Sequence, residues 1–262
     1  MAACDLKGRG ILVTRASHQS EGLSRLIQDC RGRAVCFPAL EITVSRRVEQ
    51  ARELLRQTWD VMIFISPNAV HFAVGLLPGG RMQGQLLGAV GRATAAALES
   101  AGYGIDLLPA DRYDSEGLLL LPPLQQLAGQ RVLIVRGEGG RPLLGNSLQA
   151  RGAEVGYAEV YRRIRPNTDP EPLLKCWRQE IDLVIATSNE VLQNLIEMLG
   201  EKGLPLLQRT PLLVISERMR QEAKDRGFKA ILLASGADDK ALITAICNWT
   251  DHAVQGDQGN LS

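Results

Sequence analysis

One local pattern occurs twice in this chain. Residues 60–74 (DVMIFISPNAVHFAV) and 182–195 (DLVIATSNEVLQNL) each combine an apolar run, a hydroxyl-rich turn and an amphipathic segment, which predicts strand, turn and helix. Ser66 and Ser188 occupy equivalent places about 122 residues apart. Solenoid repeats have periods of about 20 to 50 residues, so this longer spacing indicates duplication of a domain-sized unit.

The duplication extends over most of the chain. The run ILVTR that ends at Arg15 matches the run VLIVR that ends at Arg136, and residues 86–119 resemble residues 211–243 in order and spacing. At 262 residues the chain is long enough for two α/β domains.

Most of the predicted strands are continuous apolar runs rather than alternating ones, which is typical of parallel strands that are covered on both faces. Helical patterns separate them, so the fold class that we predict is α/β with doubly wound parallel sheets. Two strand patterns, 36–44 and 154–166, exceed the usual length and are predicted to connect the domains. The predicted strands are 11–14, 34–40, 61–65, 86–90, 105–109, 131–135, 154–164, 183–187, 211–216 and 230–235.

Composition excludes several classes of function. A net charge of +1 provides no strong electrostatic field that would attract nucleic acid. An aromatic content of 4% provides no platform on which bases could stack. The apolar run 118-LLLLPPL-124 is too short to span a membrane, and the N-terminus does not resemble a signal peptide. Five cysteines without CxxC spacing argue against a disulfide framework and predict a reduced, cytoplasmic protein. The three scattered histidines predict no metal site, and no motif predicts a cofactor.

A glycine-rich segment, 136-RGEGGRPLL-144, follows a predicted strand. Turns of this kind expose backbone N–H groups next to a helix N-terminus, and Arg136 and Arg141 flank this one. The segment therefore predicts an anion site that includes Gly137. A tight turn with solvated arginines explains the same residues and remains an alternative.

Other candidate residues also have structural explanations. Ser66 precedes Pro67 as a helix cap would, and Gly91 and Thr94 mark a second strand-to-helix turn. Both turns present groups that could also meet a ligand. Tyr161 lies among arginines on the second long strand, where its phenol could donate a proton or its ring could pack at the strand edge.

Six segments, taken in order and spacing, resemble the uroporphyrinogen-III synthase family over about residues 8–246. The resemblance implies two α/β domains joined by a two-stranded antiparallel linker, with the first domain discontinuous. It places residues 1–38 and 168–262 in one domain and 39–167 in the other, with linker strands near 36–44 and 157–166. The six segments are ILVTR at 11–15, FISPNAV at 64–70, GAVGRATA at 88–95, VLIVRGEGGR at 132–141, EVYRR at 159–163 and IATSNEV at 185–191.

The resemblance also implies the chemistry. The family cyclises hydroxymethylbilane, a linear tetrapyrrole with eight carboxylates, with inversion of the last ring and loss of water, and it uses no cofactor. Tyr161 corresponds to the proton donor of the family. Many relatives carry Gly-x-Thr where this chain reads 216-SERM-219, so the role of that threonine does not carry over, and Ser216 is only a candidate to replace it. The substrate-binding residues implied in this way are Arg15, Ser66, Asn68, Gly91, Thr94, Arg136, Gly137, Arg141, Thr187, Ser188, Asn189 and Ser216.

Two other functions fit an α/β pair of domains. One is a non-catalytic binding protein, which would usually be exported and carry a signal peptide. The other is a sugar- or nucleotide-binding regulator, which would usually carry a DNA-binding segment. The sequence shows neither segment, and the interpretation is a monomeric cytoplasmic enzyme with a small-molecule substrate.

Overall fold

The computed structural model describes residues 4–77, 82 and 84–258. The chain divides into two compact units. Unit 1 comprises Met1–Glu41 with Ile164–Ser262, and unit 2 comprises Ile42–Arg163. Among the described residues, no helix has the length and apolar character needed to cross a membrane.

Unit 1 is built on a five-stranded sheet in the order β10-β9-β8-β1-β2. Its neighbouring strands are parallel, as the apolar runs predict. The strands, numbered in chain order, are β1 (Gly10–Val13), β2 (Arg33–Cys36), β8 (Leu183–Ile185), β9 (Leu212–Val214) and β10 (Ile231–Leu233). The helices are α1 (Ser17–Asp29), α7 (Glu171–Glu180), α8 (Asn189–Arg209), α9 (Glu217–Asp225) and α10 (Asp239–Gln258).

Unit 2 has a second five-stranded sheet, in the order β3-β7-β6-β4-β5. The pairs β7–β6, β6–β4 and β4–β5 are parallel. Its strands are β3 (Glu41–Val44), β4 (Trp59–Phe64), β5 (Gly84–Ala89), β6 (Arg131–Gly137) and β7 (Glu154–Ile164). Its helices are α2 (Val48–Arg56), α3 (Pro67–Gly75), α4 (Arg92–Ser100), α5 (Ser115–Leu118) and α6 (Leu143–Ala150), with a 3₁₀ turn at Pro122–Leu124.

Both faces of each sheet are covered, and this explains the continuous apolar runs. Successive side chains of a strand point to opposite faces, so a strand with two buried faces needs apolar residues at every position. In β4, Met62 and Phe64 belong to one core cluster, whereas Val61 and Ile63 belong to the cluster on the other face. The predicted α/β class with parallel sheets is confirmed.

The predicted strand at 105–109 is wrong. In this segment the backbone forms only an isolated parallel bridge, between Leu107 and Gly88. The carboxylate of Asp106 accepts a hydrogen bond from the Leu87 amide at 2.8 Å. A side chain thus takes an amide that a paired strand would use, and Pro109 limits any continuation.

The expectation of a chain without disulfides is also wrong. Cys4 and Cys247 form a disulfide bond across 243 residues of sequence. An odd cysteine count excludes complete pairing but leaves room for a single bond. The partners lie near opposite ends of the chain, where spacing rules based on neighbouring cysteines give no signal.

Candidate functional site

The candidate residues of unit 2 lie where its parallel strands end. The carboxyl ends of β4, β5 and β6 share one edge of the sheet, since neighbouring strands run in the same direction. Ser66 follows β4, Gly91 follows β5, and Arg136 is close to the end of β6. Ligands of open parallel sheets bind outside this edge, so the predicted residues occupy the part of the fold suited to a site.

Ser66 links the cap of α3 to Tyr161. Its side chain accepts a hydrogen bond from the Ala69 amide at 3.1 Å, which confirms the predicted cap. Its Oγ also lies 3.1 Å from the Tyr161 hydroxyl, and either oxygen could donate. Tyr161 is only 4% exposed, and its ring stacks on Phe72 with centroids 5.9 Å apart. Both ring and hydroxyl are therefore held in place.

Gly137 provides the space that the Tyr161 ring occupies. The pairing of β6 with β7 shifts register here, from Arg136 opposite Glu159 to Gly137 opposite Tyr161. A Cβ atom at Gly137 would lie 2.6 Å from two carbon atoms of the Tyr161 ring. The next amide, of Glu138, donates to the Tyr161 carbonyl at 2.8 Å. Packing therefore explains this glycine, and its predicted contact with a substrate stays a prediction.

Arg136 is held by a carboxylate that the sequence analysis did not identify. Its Nη2 donates to Glu159 Oε1 at 3.0 Å and its Nη1 to the Gly140 carbonyl at 3.3 Å. Its guanidinium carbon lies 4.5 Å from the centre of the Tyr157 ring. Glu159 is 8% exposed and also accepts from Arg47 at 3.0 Å. The buried Nε of Arg136 has no hydrogen-bond partner among the residues that the structure describes.

The sequence contained a partial signal for Glu159. An acidic residue occurs in a strand two positions before the candidate tyrosine, and such a residue is rarely buried without a cationic partner. Choosing Arg136 as that partner required the register of β6 against β7, which the sequence did not supply.

Two cavities of unit 2 share Arg136. The first, of about 170 Å³, lies at the carboxyl edge and includes Ile65, Val90 and Arg141 in its lining. The second, of about 380 Å³, lies against α2 and β7 and includes Arg47, Tyr157 and Glu159. The smaller cavity combines two guanidinium groups with apolar walls, an arrangement that suits a carboxylate on a short alkyl chain.

Glu138 fixes the glycine-rich segment to the turn between β3 and α2. Its Oε1 accepts from the Arg46 amide at 2.7 Å and from the Ser45 hydroxyl at 2.8 Å. The amide hydrogen bond, followed by that of the hydroxyl, lowers the pKa of the Glu138 carboxyl below its usual value. Both hydrogen bonds favour the charged form.

The other candidates of unit 2 differ in exposure. Asn68 lies in the first turn of α3, and Gly91 caps α4 through its backbone. Thr94 belongs to the same turn but is 3% exposed, so its side chain lies within the unit. Arg141 lies on the glycine-rich segment and lines the smaller cavity.

Unit 1 repeats the arrangement at its own carboxyl edge, where β9, β8 and β1 are neighbours. Ser188 caps α8 by accepting from the Val191 amide at 3.1 Å, and Ser216 caps α9 by accepting from the Met219 amide at 3.3 Å. The same structural role, that of a helix N-cap, is thus performed by Ser66 in unit 2 and by Ser188 and Ser216 in unit 1. The duplicated strand, turn and helix predicted for Ser66 and Ser188 is confirmed.

The remaining candidates of unit 1 surround these turns. Arg15 follows β1 and forms an ion pair with Asp239 at 2.6 Å, with its side chain 15% exposed. Thr187 precedes the Ser188 cap and is half-buried. Asn189 begins α8, and its buried Oδ1 has no hydrogen-bond partner within the described part of the chain. This edge therefore offers a cation, hydroxyl groups and helix N-termini, which together suit an anionic ligand.

Comparisons with known proteins agree on one family. A family model described as "Uroporphyrinogen-III synthase HemD" matches residues 21–244. The chain is 37% identical over 243 residues to the uroporphyrinogen-III synthase of Escherichia coli (strain K12), covering 90% of this chain and 99% of that protein. It is 36% identical over 244 residues to the enzyme of the same name from Salmonella typhimurium (strain LT2), with the same two coverages.

Solved structures show the same fold. A mutant uroporphyrinogen III synthase from the extremely thermophilic bacterium Thermus thermophilus superposes with a TM-score of 0.58 and 19% identity, covering 94% of this chain and 99% of that one. The uroporphyrinogen-III synthetase of Helicobacter pylori 26695 gives a TM-score of 0.57 and 14% identity, with coverages of 94% and 99%.

Proposed function

The chain belongs to the uroporphyrinogen-III synthase family, and from this premise we propose that it cyclises hydroxymethylbilane with inversion of the last pyrrole ring and loss of water. It is a lyase-type enzyme of tetrapyrrole biosynthesis.

The main structural support for the proposed mechanism is the hydrogen bond between Tyr161 and Ser66. The terminal hydroxyl of the substrate is a poor leaving group until its oxygen accepts a proton. The Tyr161 phenol supplies that proton, the carbon–oxygen bond breaks, and water leaves. The electron-rich last pyrrole then closes the ring through the α-carbon that already carries its bridging methylene, which gives a spiro intermediate. The older bridge bond breaks and re-forms at the free α-carbon of the same pyrrole, so the ring is inverted, and the proton that this carbon releases restores the phenol.

Ser66 orients this proton donor. Its Oγ holds the Tyr161 hydroxyl from one side, while its lone pair accepts the Ala69 amide. A donor fixed in this way loses less conformational freedom when the substrate arrives. Tyr161 is thus the catalytic residue of the proposal, and Ser66 acts through it as a positioning residue.

Each unit has groups of its own that suit carboxylates of the substrate. In unit 2, Arg136 and Arg141 line one cavity, where their guanidinium groups bind a carboxylate. In unit 1, Arg15 exchanges part of its pairing with Asp239 for a substrate carboxylate. The helix N-termini add backbone donors and the positive end of each helix dipole. The proposed binding set also includes Asn68, Gly91, Thr94, Gly137, Thr187, Ser188, Asn189 and Ser216.

We further propose that units 1 and 2 are the two domains that the family resemblance implies, joined by β3 and the end of β7. The protein acts as a cytoplasmic monomer, and its reaction uses no metal or organic cofactor. Proton transfer, carboxylate binding and folding of a flexible substrate are tasks that side chains and backbone amides perform unaided.

The test is conversion of freshly prepared hydroxymethylbilane, followed by separation of the type III and type I isomers. The purified chain should yield type III in excess over the type I product formed without enzyme. Dialysis against a chelator before the assay should leave the rate unchanged. Type I product at the uncatalysed rate would refute the activity, and a reversible loss after chelation would refute the cofactor-free mechanism.

A further inference from the structure

Three cysteines that are distant in sequence meet in unit 1. The sulfur atoms of Cys4, Cys30 and Cys247 all lie within 4.8 Å of one another, and all three residues are half-buried. Cys4 and Cys247 are joined as a disulfide, whereas Cys30 is a free thiol. The third sulfur distinguishes this cluster from a simple structural disulfide.

Contacts other than the disulfide hold Cys4 beside Cys30. The Leu6 amide donates to the Cys30 carbonyl at 2.8 Å, and the Gly8 amide donates to the Arg31 carbonyl at 2.8 Å. The carboxylate of Asp5 pairs with the Arg31 guanidinium at 2.6 Å. These contacts fix the segment before β1 against the end of α1. Reduction of the disulfide therefore leaves Cys4 and Cys30 as neighbours.

Core packing holds the third cysteine independently. Helices α1 and α10 share one core cluster, in which Ile27 and Leu23 of α1 are buried with Ile246 and Leu242 of α10. Cys247 follows Ile246 on α10 and packs against this cluster. The position of its sulfur thus depends on apolar packing, which reduction does not alter.

We propose that these three cysteines, once reduced, form a binding site for one thiophilic divalent cation of the zinc class. Thiolates bind such cations at about 2.3 Å, which places neighbouring sulfurs roughly 3.8 Å apart in a tetrahedral site. The Cys4 and Cys247 sulfurs, bonded to each other in the disulfide, must separate by about 1.8 Å on reduction to reach that spacing, and the Cys30 sulfur already lies within 4.8 Å of both. Cys30 also lies at the C-terminal end of α1, where the helix dipole favours a cation.

The disulfide is the oxidised, metal-free form of this site. A small dithiol reductant supplies two electrons and two protons, which break the Cys4–Cys247 bond and yield two thiols. Cation binding then displaces one proton from each of the three thiols, so that affinity rises with pH.

The site is structural and separate from the proposed chemistry. Cys4 and Cys30 precede β1 and β2, so they lie at the amino ends of these strands. Ser188 and Ser216 instead follow the carboxyl ends of β8 and β9. Occupancy should therefore affect stability rather than turnover.

The test titrates the full chain with Cd²⁺, which replaces Zn²⁺ and gives a thiolate-to-metal charge-transfer absorbance. Chain reduced with a phosphine, under anaerobic conditions, should saturate at one equivalent, and added Zn²⁺ should displace the Cd²⁺. Chain with the disulfide intact should show no such absorbance. Cys4→Ser, Cys30→Ser and Cys247→Ser should each weaken binding at least about tenfold.

Cys36→Ser and Cys176→Ser are the matched controls, because both remove free thiols outside the cluster. They should bind Cd²⁺ as the unmodified reduced chain does, and circular dichroism should show all five variants folded. No charge-transfer absorbance in the reduced chain would overturn the proposal. So would a signal that survives the three cluster substitutions or disappears in either control.

Discussion

The hydroxyl of Tyr161, on β7, lies 3.1 Å from the Oγ of Ser66, the cap of α3. The two residues are separated by 95 positions in sequence. Their contact joins the proton donor of the proposed reaction to one of the two turns through which the duplication was recognised. The same serine oxygen thus stabilises a helix and orients a phenol, and the two roles can be separated by substitution.

Ser66→Ala should lower both stability and turnover. Loss of the cap should cost about 0.5–2 kcal/mol of unfolding free energy. Loss of the Tyr161 contact should lower kcat beyond what that destabilisation explains. Asp238→Ala is a suitable control, since Asp238 accepts a hydrogen bond from the Ala241 amide in the first turn of α10 and lies outside the proposed binding set. Urea unfolding and steady-state kinetics on both variants would measure the two effects, and equal kcat losses would contradict a positioning role for Ser66.

Gly137→Ala should damage the site through Tyr161. The added Cβ would lie 2.6 Å from the tyrosine ring, so the ring or the strand must move. Such overpacking typically costs about 1–3 kcal/mol. Gly104→Ala is a suitable control. Apart from its chain neighbours, no atom of the described residues lies within 4 Å of the Cβ that this substitution adds. Urea unfolding and steady-state kinetics would compare the two variants, and unchanged kcat and stability in Gly137→Ala would show that the ring is not confined there.

Glu159→Gln should weaken substrate binding by releasing Arg136. Glutamine keeps the size of the side chain but removes the charge that holds two guanidinium groups. We expect KM to rise about tenfold, equivalent to about 1.4 kcal/mol, with a smaller change in kcat. Glu49→Gln, which removes an exposed ion pair with Arg52, should change neither value. A KM equal to that of the unmodified chain would contradict the role given to Glu159.

The pKa of Glu138 makes a testable contribution to acid stability. Its folded pKa lies below the ordinary value of 4.5 because the Arg46 amide and the Ser45 hydroxyl bind the charged form. A depressed carboxyl pKa stabilises the fold above the unfolded pKa, and this contribution is lost as pH falls through the folded pKa. Urea unfolding between pH 7 and about pH 3 should therefore show that acid lowers the unfolding free energy less in Glu138→Gln than in the unmodified chain. An identical loss in both proteins would refute this contribution.

The sequence predicted the elements better than it predicted their contacts. Continuous apolar runs identified parallel strands with two covered faces, and serine followed by a helical pattern identified the caps of α3 and α8. Both signals are local, because burial on two faces and capping each constrain only a few adjacent residues. The segment 105–109 was predicted wrongly because the Asp106 carboxylate accepts the Leu87 amide hydrogen bond that a carbonyl of a paired strand would accept.

Contacts between distant segments were outside the reach of sequence patterns. The pairing of Glu159 with Arg136 depends on strand register, and the meeting of Cys4 with Cys247 depends on the packing of the first helix on the last. The close approach of Tyr161 to Gly137 requires a shift in that same register. The sequence therefore indicated candidate residues for the chemistry but not the residues that position them.

The most direct test of the account is the turnover of Tyr161→Phe with hydroxymethylbilane, measured beside its KM and unfolding free energy. Phenylalanine keeps the ring that stacks on Phe72 and removes only the hydroxyl bound to Ser66. Removal of one general acid should lower kcat about 10²- to 10⁴-fold, with KM and stability nearly unchanged. Full turnover of Tyr161→Phe to the type III isomer would contradict the account and would make Tyr161 a packing residue.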